Sequence, residues 1–542
     1  MKKTAQLTCL MFIGLAILSP TPMVMAQENA ASKPATIGVV SVAAYDSLVE
    51  DLTLLGSLSG NGKLVRQIQE KLKPVVAAID TTKPSGSIIR VVGEDVQIIG
   101  FGAVTDMDKL IKGAKEAGIK IKSVDDHYEV EMPQGKTFQI RYRDGWAFTA
   151  EKLDQLADLP KDPAKMLGDL PTQYLVAGRL DVQRVPEVLR KKVAGELGGL
   201  IGALRGGRDG GEDEVAAQAE AIKQVDHVTV GWAVDPKEKA TYVDVAVKAV
   251  AGTEFATQMK GYAKVKSSFA GLVLPGAAFT LHFASDLTDQ EKAAAAAGLA
   301  AARKQLLKGL IENLNLATDK DSAEAAALFG ELLDSVQATV KEGKLDGGIA
   351  VVLKPRAMTI VGGGQVADSE KLRVTFKKFV KMARRLDGKF PGVKFDAEKY
   401  GDVTFHTMSV PIKKNDRAAK VFGESVDVAV GLGKKSFYVA VGKDTLSTIK
   451  QVIDDSKKRS DETVPPLRTA LSVGSVVRFV ASVEENNFAL AAISLMLASA
   501  KDKDHIRLTA EPIDLGLRYR LQLERGIIAL IGQAGKLAGA GF

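Results

Sequence analysis

The hydrophobic pattern of this chain runs through one series of units and then through the same series again. Three unit types recur. The first is a strand, a polar cap and a helix. It reads IGVVSVAAYDSLVEDL from Ile37, QYLVAGRLDVQRVPEVLRKKV from Gln173, AFTLHFASDLTDQEKAAAAAG from Ala278 and VVRFVASVEENNFALAAISLM from Val476. The second is a hairpin followed by a helix, beginning at Ile88, His227, Gly348 and His505. The third is a block of strands closing in a short helix, beginning at Thr137 and Val428. The order first, second, third, first, second spans Ile37 to about Tyr262, then Ala278 to about Gly535. A repeat distance of roughly 230 to 260 residues belongs to duplicated domains, not to a solenoid.

The units imply a fold class. β-branched residues flank turn signals such as Gly93-Glu94-Asp95, so tight hairpins and antiparallel sheet are expected. Stripes such as Leu64, Val65, Ile68 and Leu72, or Leu372, Phe376, Phe379 and Val380, mark amphipathic helices. The expectation is α+β: two tandem related halves, 27–270 and 271–542, each mainly antiparallel sheet with helices packed on one face. Asp106, Thr149, Asp181, Ser285 or Asp286, and Asp368 stand where helix N-caps are expected. Asp289 to Leu316 reads as one long helix, and Asp454 to Thr463 as a charged loop.

The first 26 residues carry a different message. Lys2 and Lys3 precede an apolar run from Leu7 to Leu18, and Val24 and Ala26 are small residues in the signal-peptidase pattern. This reads as a signal peptide cleaved after Ala26, hence a secreted protein of a bacterial periplasm or cell surface. The one cysteine, Cys9, lies inside that segment. A cysteine-free mature chain has no disulfide and no thiolate metal site. Without Lys2 and Lys3 the 73 basic residues become 71 against 66 acidic, a net charge of +5. So mild a charge does not point to nucleic acid. No later apolar run approaches the length of a membrane span.

Candidate chemical motifs are few. The histidines, His127, His227, His282, His406 and His505, show no metal-site spacing. His227 and His505 each follow an Asp at matching positions in the two halves, which suits a strand opening better than a ligand pair. GLGKKS from Gly431 resembles a phosphate loop but has Val428 where its first glycine belongs and Lys435 in place of Ser or Thr. Trp146 reads as a core residue.

The leading expectation is therefore an exported, non-enzymatic protein with a binding or scaffolding role. It would need no cofactor and would hold an apolar ligand between its two halves. A lipid, a peptide or a cell-envelope component would be the partner, and nucleic acid would not. One alternative is a periplasmic hydrolase with a carboxylate and histidine site assembled by the fold, starting from Asp125, Asp126 and His127. The other is a membrane-surface protein. Its envelope-contact face would be the basic side of one helix: Arg373, Lys377, Lys378, Lys381, Arg384 and Arg385.

Overall fold

The computed structural model describes residues 34–537 except 94, 117, 132–134, 191–194, 196–221, 315–317, 389, 414–415 and 485–486. The signal segment, its cysteine and the Gly-rich stretch around 197–214 lie outside the described residues. No described helix is long and apolar enough to cross a membrane.

The chain is mixed α+β, with twenty strands among the described residues, paired antiparallel throughout the ladders given below. It divides into two compact units, Met1–Thr257 with Asp514–Phe542, and Gln258–Ile513. In the first unit the strands are β1 (Ala35–Val42), β2 (Ser85–Val92), β3 (Asp95–Ala103), β4 (Lys120–Val124), β5 (His127–Glu131), β6 (Thr137–Arg143), β7 (Trp146–Ala150), β8 (Val176–Asp181), β9 (Val225–Asp235) and β10 (Ala240–Ala249). They pair in the order β4-β5-β6-β7-β3-β2-β1-β8-β9-β10, and β10 then takes β20 (Gly516–Glu524) as its outer neighbour. That last pairing covers nine positions, which is why the C-terminal strand belongs to this unit.

The second unit holds β11 (Phe279–Asp286), β12 (Lys344–Lys354), β13 (Ala357–Gln365), β14 (Lys394–Tyr400), β15 (Val403–Pro411), β16 (Ser425–Leu432), β17 (Ser436–Gly442), β18 (Leu467–Ser472) and β19 (His505–Ile513). Their order is β14-β15-β16-β17-β13-β12-β11-β18-β19.

Among the described residues, helices of nine residues or more are α1 (Tyr45–Leu58), α2 (Gly62–Val76), α3 (Met107–Glu116), α4 (Glu254–Tyr262), α5 (Asp289–Leu314), α6 (Asp319–Glu342), α7 (Ser369–Leu386), α8 (Thr445–Lys458), α9 (Val473–Val483), α10 (Phe488–Ala498) and α11 (Arg525–Leu537). Two of the expected caps are made. Asp106 Oδ1 accepts the Lys109 N–H at 3.0 Å and Asp368 Oδ1 the Lys371 N–H at 2.9 Å. The others differ. Thr149 lies within β7, Asp181 ends β8, and Ser285 and Asp286 end β11. The chain runs two residues further before α5, where Thr288 and Glu291 form a reciprocal capping box. Of the stretch expected as a charged loop, Asp454 to Lys458 is the last turn of α8, while 459–463 is non-helical. Ile449, Val452, Ile453 and Ser456 are buried on one side of that helix, and Lys457 and Lys458 sit at the end its dipole favours.

Each sheet has a densely packed face. In the first unit Val39, Ile99, Phe101, Trp146, Phe148, Ala177 and Ala233 pack with Leu156, Leu159, Leu167 and Leu170 from the segment after β7. In the second, Ala350, Val361, Phe405, Ala429, Tyr438 and Ala440 pack under Phe269 and Leu272 and under Ile449, Val452 and Ile453 of α8.

Candidate functional site: the open sheet faces

The opposite face of each sheet is also apolar, and it is less covered. Residues directly across a ladder share a face, so the face can be traced by register. In the second unit Phe283 lies opposite Gly347, Leu281 opposite Ile349, Ile349 opposite Gly362, and Gly362 opposite Val439. In the first, Leu521 lies opposite Val243 and Val243 opposite Trp232. The same face continues through Val230, Gly178, Val40, Ser87 and Gly100 to Val96, and through Thr149 and Ile140 to Tyr142.

Among the described residues, seven large apolar side chains on strands are 37% to 48% exposed: Val96, Tyr142, Val230, Val243, Leu521, Phe283 and Val439. All seven fall on this second face. Strand sequences explain why. In β12, Ala350 and Val352 point to the core face while Ile349, Val351 and Leu353 point to the other. A run apolar on both sides is the sequence of a strand meant to be covered on both sides. Here that side is left open in patches, around Leu521, Val243 and Val230 in the first unit and at Phe283 and Val439 in the second, and exposed apolar patches of this kind mark binding surfaces more often than chance.

One polar group interrupts the open face of the second unit. His406 sits on β15 opposite Val430, in line with Val439. A bulge in β14 puts Asp396 at φ 49° and turns its N–H onto His406 Nδ1 at 3.0 Å. With Nδ1 accepting, the neutral ring carries its proton on Nε2. That nitrogen is buried and has no hydrogen-bond partner. Phe376 of α7 stacks on the ring at 5.8 Å and Phe395 meets it edge-on at 5.4 Å. Burial holds the His406 pKa below its ordinary value, with Asp396 opposing and Lys377 and Arg373 adding to the shift.

The remaining polar clusters are built as structural locks. Ser267, His282 and Asp346 are all buried, and their residue types suggest a hydrolytic triad. The geometry does not. Ser267 Oγ gives its one proton to Asp346 Oδ1 at 2.5 Å and is also bonded to the Phe269 N–H at 2.9 Å and to His282 Nε2 at 2.8 Å. A hydroxyl with its donor and both lone pairs committed is no nucleophile. Burial, reinforced by Arg459 and Arg468, pushes the His282 pKa down to about 4, so the ring is neutral.

In the first unit the buried Asp244 carboxylate receives Arg520 through two nitrogens, both at 2.8 Å, and the Tyr174 hydroxyl at 3.1 Å. The Tyr174 ring crosses β9 at Gly231, where a Cβ would lie 2.5 Å from it. Burial first, and then Asp244, drives the Tyr174 hydroxyl up to about 12.

The residues singled out from sequence are placed as follows. Asp125 forms the β4–β5 turn at φ 41°, Asp126 receives Arg141 at 2.8 Å, and His127 Nδ1 lies 3.3 Å from Asp126. His227 Nδ1 lies 2.8 Å from Asp226, and His505 Nδ1 lies 3.6 Å from the buried Asp504. GLGKKS covers the end of β16, the turn at Gly433 to Lys435 and the first residue of β17. Trp146 is in the core. On α7, Lys378 pairs with Glu331 at 2.6 Å, Arg385 with Asp321 at 2.7 Å and with Glu324, and Arg373 with Glu370 at 2.7 Å. Lys377 lies over the Phe395 ring at 5.7 Å, and Lys381 and Arg384 are exposed. Among the described residues, no group of three or more His, Cys, Asp or Glu could hold a metal ion.

No known protein family, characterised protein or solved structure matches this chain.

Proposed function

We propose that this is an exported, non-enzymatic binding protein made of two related α+β halves, residues 27–270 and 271–542, that carries an apolar ligand on its open sheet faces. The observation behind this reading is the segregation of all seven exposed strand hydrophobics to one face in each unit.

Three features support the duplication. Adding ten to each strand number in the order β4-β5-β6-β7-β3-β2-β1-β8-β9 gives β14-β15-β16-β17-β13-β12-β11-β18-β19. The helices follow the same rule, since a helix pair follows β1 and β11 and a single helix follows the β2–β3 and β12–β13 hairpins. The counterpart strands β10 and β20 pair with each other, and the middle of their nine paired positions is Asp244 opposite Arg520.

Trp232 tests the binding role directly. It lies half-buried on the open face, with its indole N–H on Thr241 Oγ1 at 2.7 Å, whereas Trp146 is in the core. With Trp146→Phe, Trp232 becomes the sole tryptophan. A brominated long-chain alcohol should quench its fluorescence saturably. Quenching no stronger than that of free tryptophan would overturn the reading. The membrane-surface alternative rests on the exposed Lys377, Lys381 and Arg384. It requires salt-sensitive binding to anionic vesicles that charge reversal at Lys377 and Lys381 abolishes.

A further inference from the structure

We propose that the open face of the second unit takes a single-chain anionic amphiphile, a long-chain carboxylate, with its head group on His406 Nε2. This deepens the binding role proposed above and rests on it. Three observations converge on the ligand class.

The first is the apolar track. Phe283, Ile349, Val439 and Val430 lie on one face, with Gly362 of β13 between Ile349 and Val439; Phe283 and Val439 are substantially exposed, and the track leads to His406. An extended alkyl chain matches such a surface in shape and chemistry. The second is the unpartnered donor. His406 is 1% exposed, its Nδ1 is committed to the Asp396 N–H, and its Nε2 has no partner. A buried donor without an acceptor is costly, and supplying an acceptor recovers that cost on binding. An acceptor that is also an anion makes the stronger bond.

The third is charge. The helix packed on His406 through Phe376 carries Lys377 above the Phe395 ring, with Arg373 one turn before it. Arg373 is paired with Glu370, whereas Lys377 reaches the Phe395 ring and makes no ion pair among the described residues. Lys377 is the counter-ion this end of the track offers a carboxylate, set against the Asp396 carboxylate, which lies 3.8 Å from His406 Nδ1. The Phe376 and Phe395 rings around His406 exclude water, which strengthens the contact. No covalent step is involved; the site binds and releases.

Two amphiphiles of equal chain length test this, laurate and dodecyltrimethylammonium. The cation carries no acceptor. Calorimetric titration of the full chain should show laurate bound more tightly. His406→Phe keeps the aromatic stack and deletes the donor, so laurate affinity should fall about tenfold while the cation's affinity holds. His406→Gln restores an N–H near the same place and should recover most of the loss.

If His406→Phe does not fold, the wild-type chain still answers. The side-chain nitrogen spectrum has only five histidines, and the Nε2 signal missing from His406→Gln should move with laurate and not with the cation. Equal laurate affinity in wild type and His406→Phe, or an unmoved signal, would overturn the head-group assignment and leave the apolar face standing. Failure of both amphiphiles to bind would remove the binding role itself.

Discussion

Asp244 shows how much of this molecule depends on single buried charges. Its carboxylate is fully enclosed; Arg520 and Tyr174 hydrogen-bond to it, and Arg518 Nε lies 3.9 Å away. Removing one member of such a pair strands the other, whereas replacing both with apolar residues need not destabilise. Asp244→Ala should therefore cost about 3–5 kcal/mol in denaturant unfolding, and Asp244→Leu with Arg520→Leu should recover most of it. A double variant as unstable as the single one would show that the pair itself, not its imbalance, matters.

His282 sets a pH dependence. Its folded pKa of about 4 lies below the ordinary 6.5. Between those values the unfolded chain binds the extra proton, so the stability it supports is complete above pH 6.5 and is lost as the pH falls towards 4. The full loss is about 3 kcal/mol. His406 is shifted in the same direction. Asp346, raised by burial, acts the opposite way at the acid end and reduces the net slope. Melting temperature should fall between pH 7 and pH 4.5, and fall less in His282→Gln. Parallel curves for the two proteins would contradict the assignment.

At the scale of elements, local sequence and long-range packing contributed unequally. Hairpins were legible because turn residues and β-branched runs act locally: Gly93 sits between β2 and β3, and Gly433 between β16 and β17. Helix starts were less so. Asp and Ser cap helices only if the strand before them ends in time, and β7 and β11 run through the positions expected to cap. The open faces were not legible at all. Val439 and Ala440 are both apolar, and only the side on which α8 docks separates them.

His406 was visible as a histidine, with nothing in the spacing to mark it. Its environment comes from Phe376, thirty residues earlier on a helix, and from a bulge at Asp396 that no residue pattern announces. The basic stripe on α7 was legible as charge. Its ion pairs with α6 were not, because Glu331 and Asp321 lie 47 and 64 residues from their partners.

At the scale of the whole molecule, the contribution of β20 to the first unit is the feature furthest from sequence. It joins residues 276 apart, Asp244 and Arg520, in one ladder. A chain ending at Ile513 would leave β10 an unpaired edge with a buried carboxylate uncovered. Such a truncation should lower the melting temperature of the first unit and promote association, visible by calorimetry and size-exclusion chromatography. A monodisperse truncated chain with unchanged melting would contradict this account of the β10–β20 ladder.

That ladder also bears on history, if the halves descend from one ancestor. In a symmetric pair of identical chains, the residue at the centre of the seam faces its own copy. Asp would then meet Asp, or Arg would meet Arg, and the seam would repel itself. Only after the gene had duplicated could the two positions mutate separately into opposite charges. Once they had, neither half could return to a partnership with its twin. Asp244 and Arg520 would thus act as a ratchet, a small asymmetry that makes the merger irreversible.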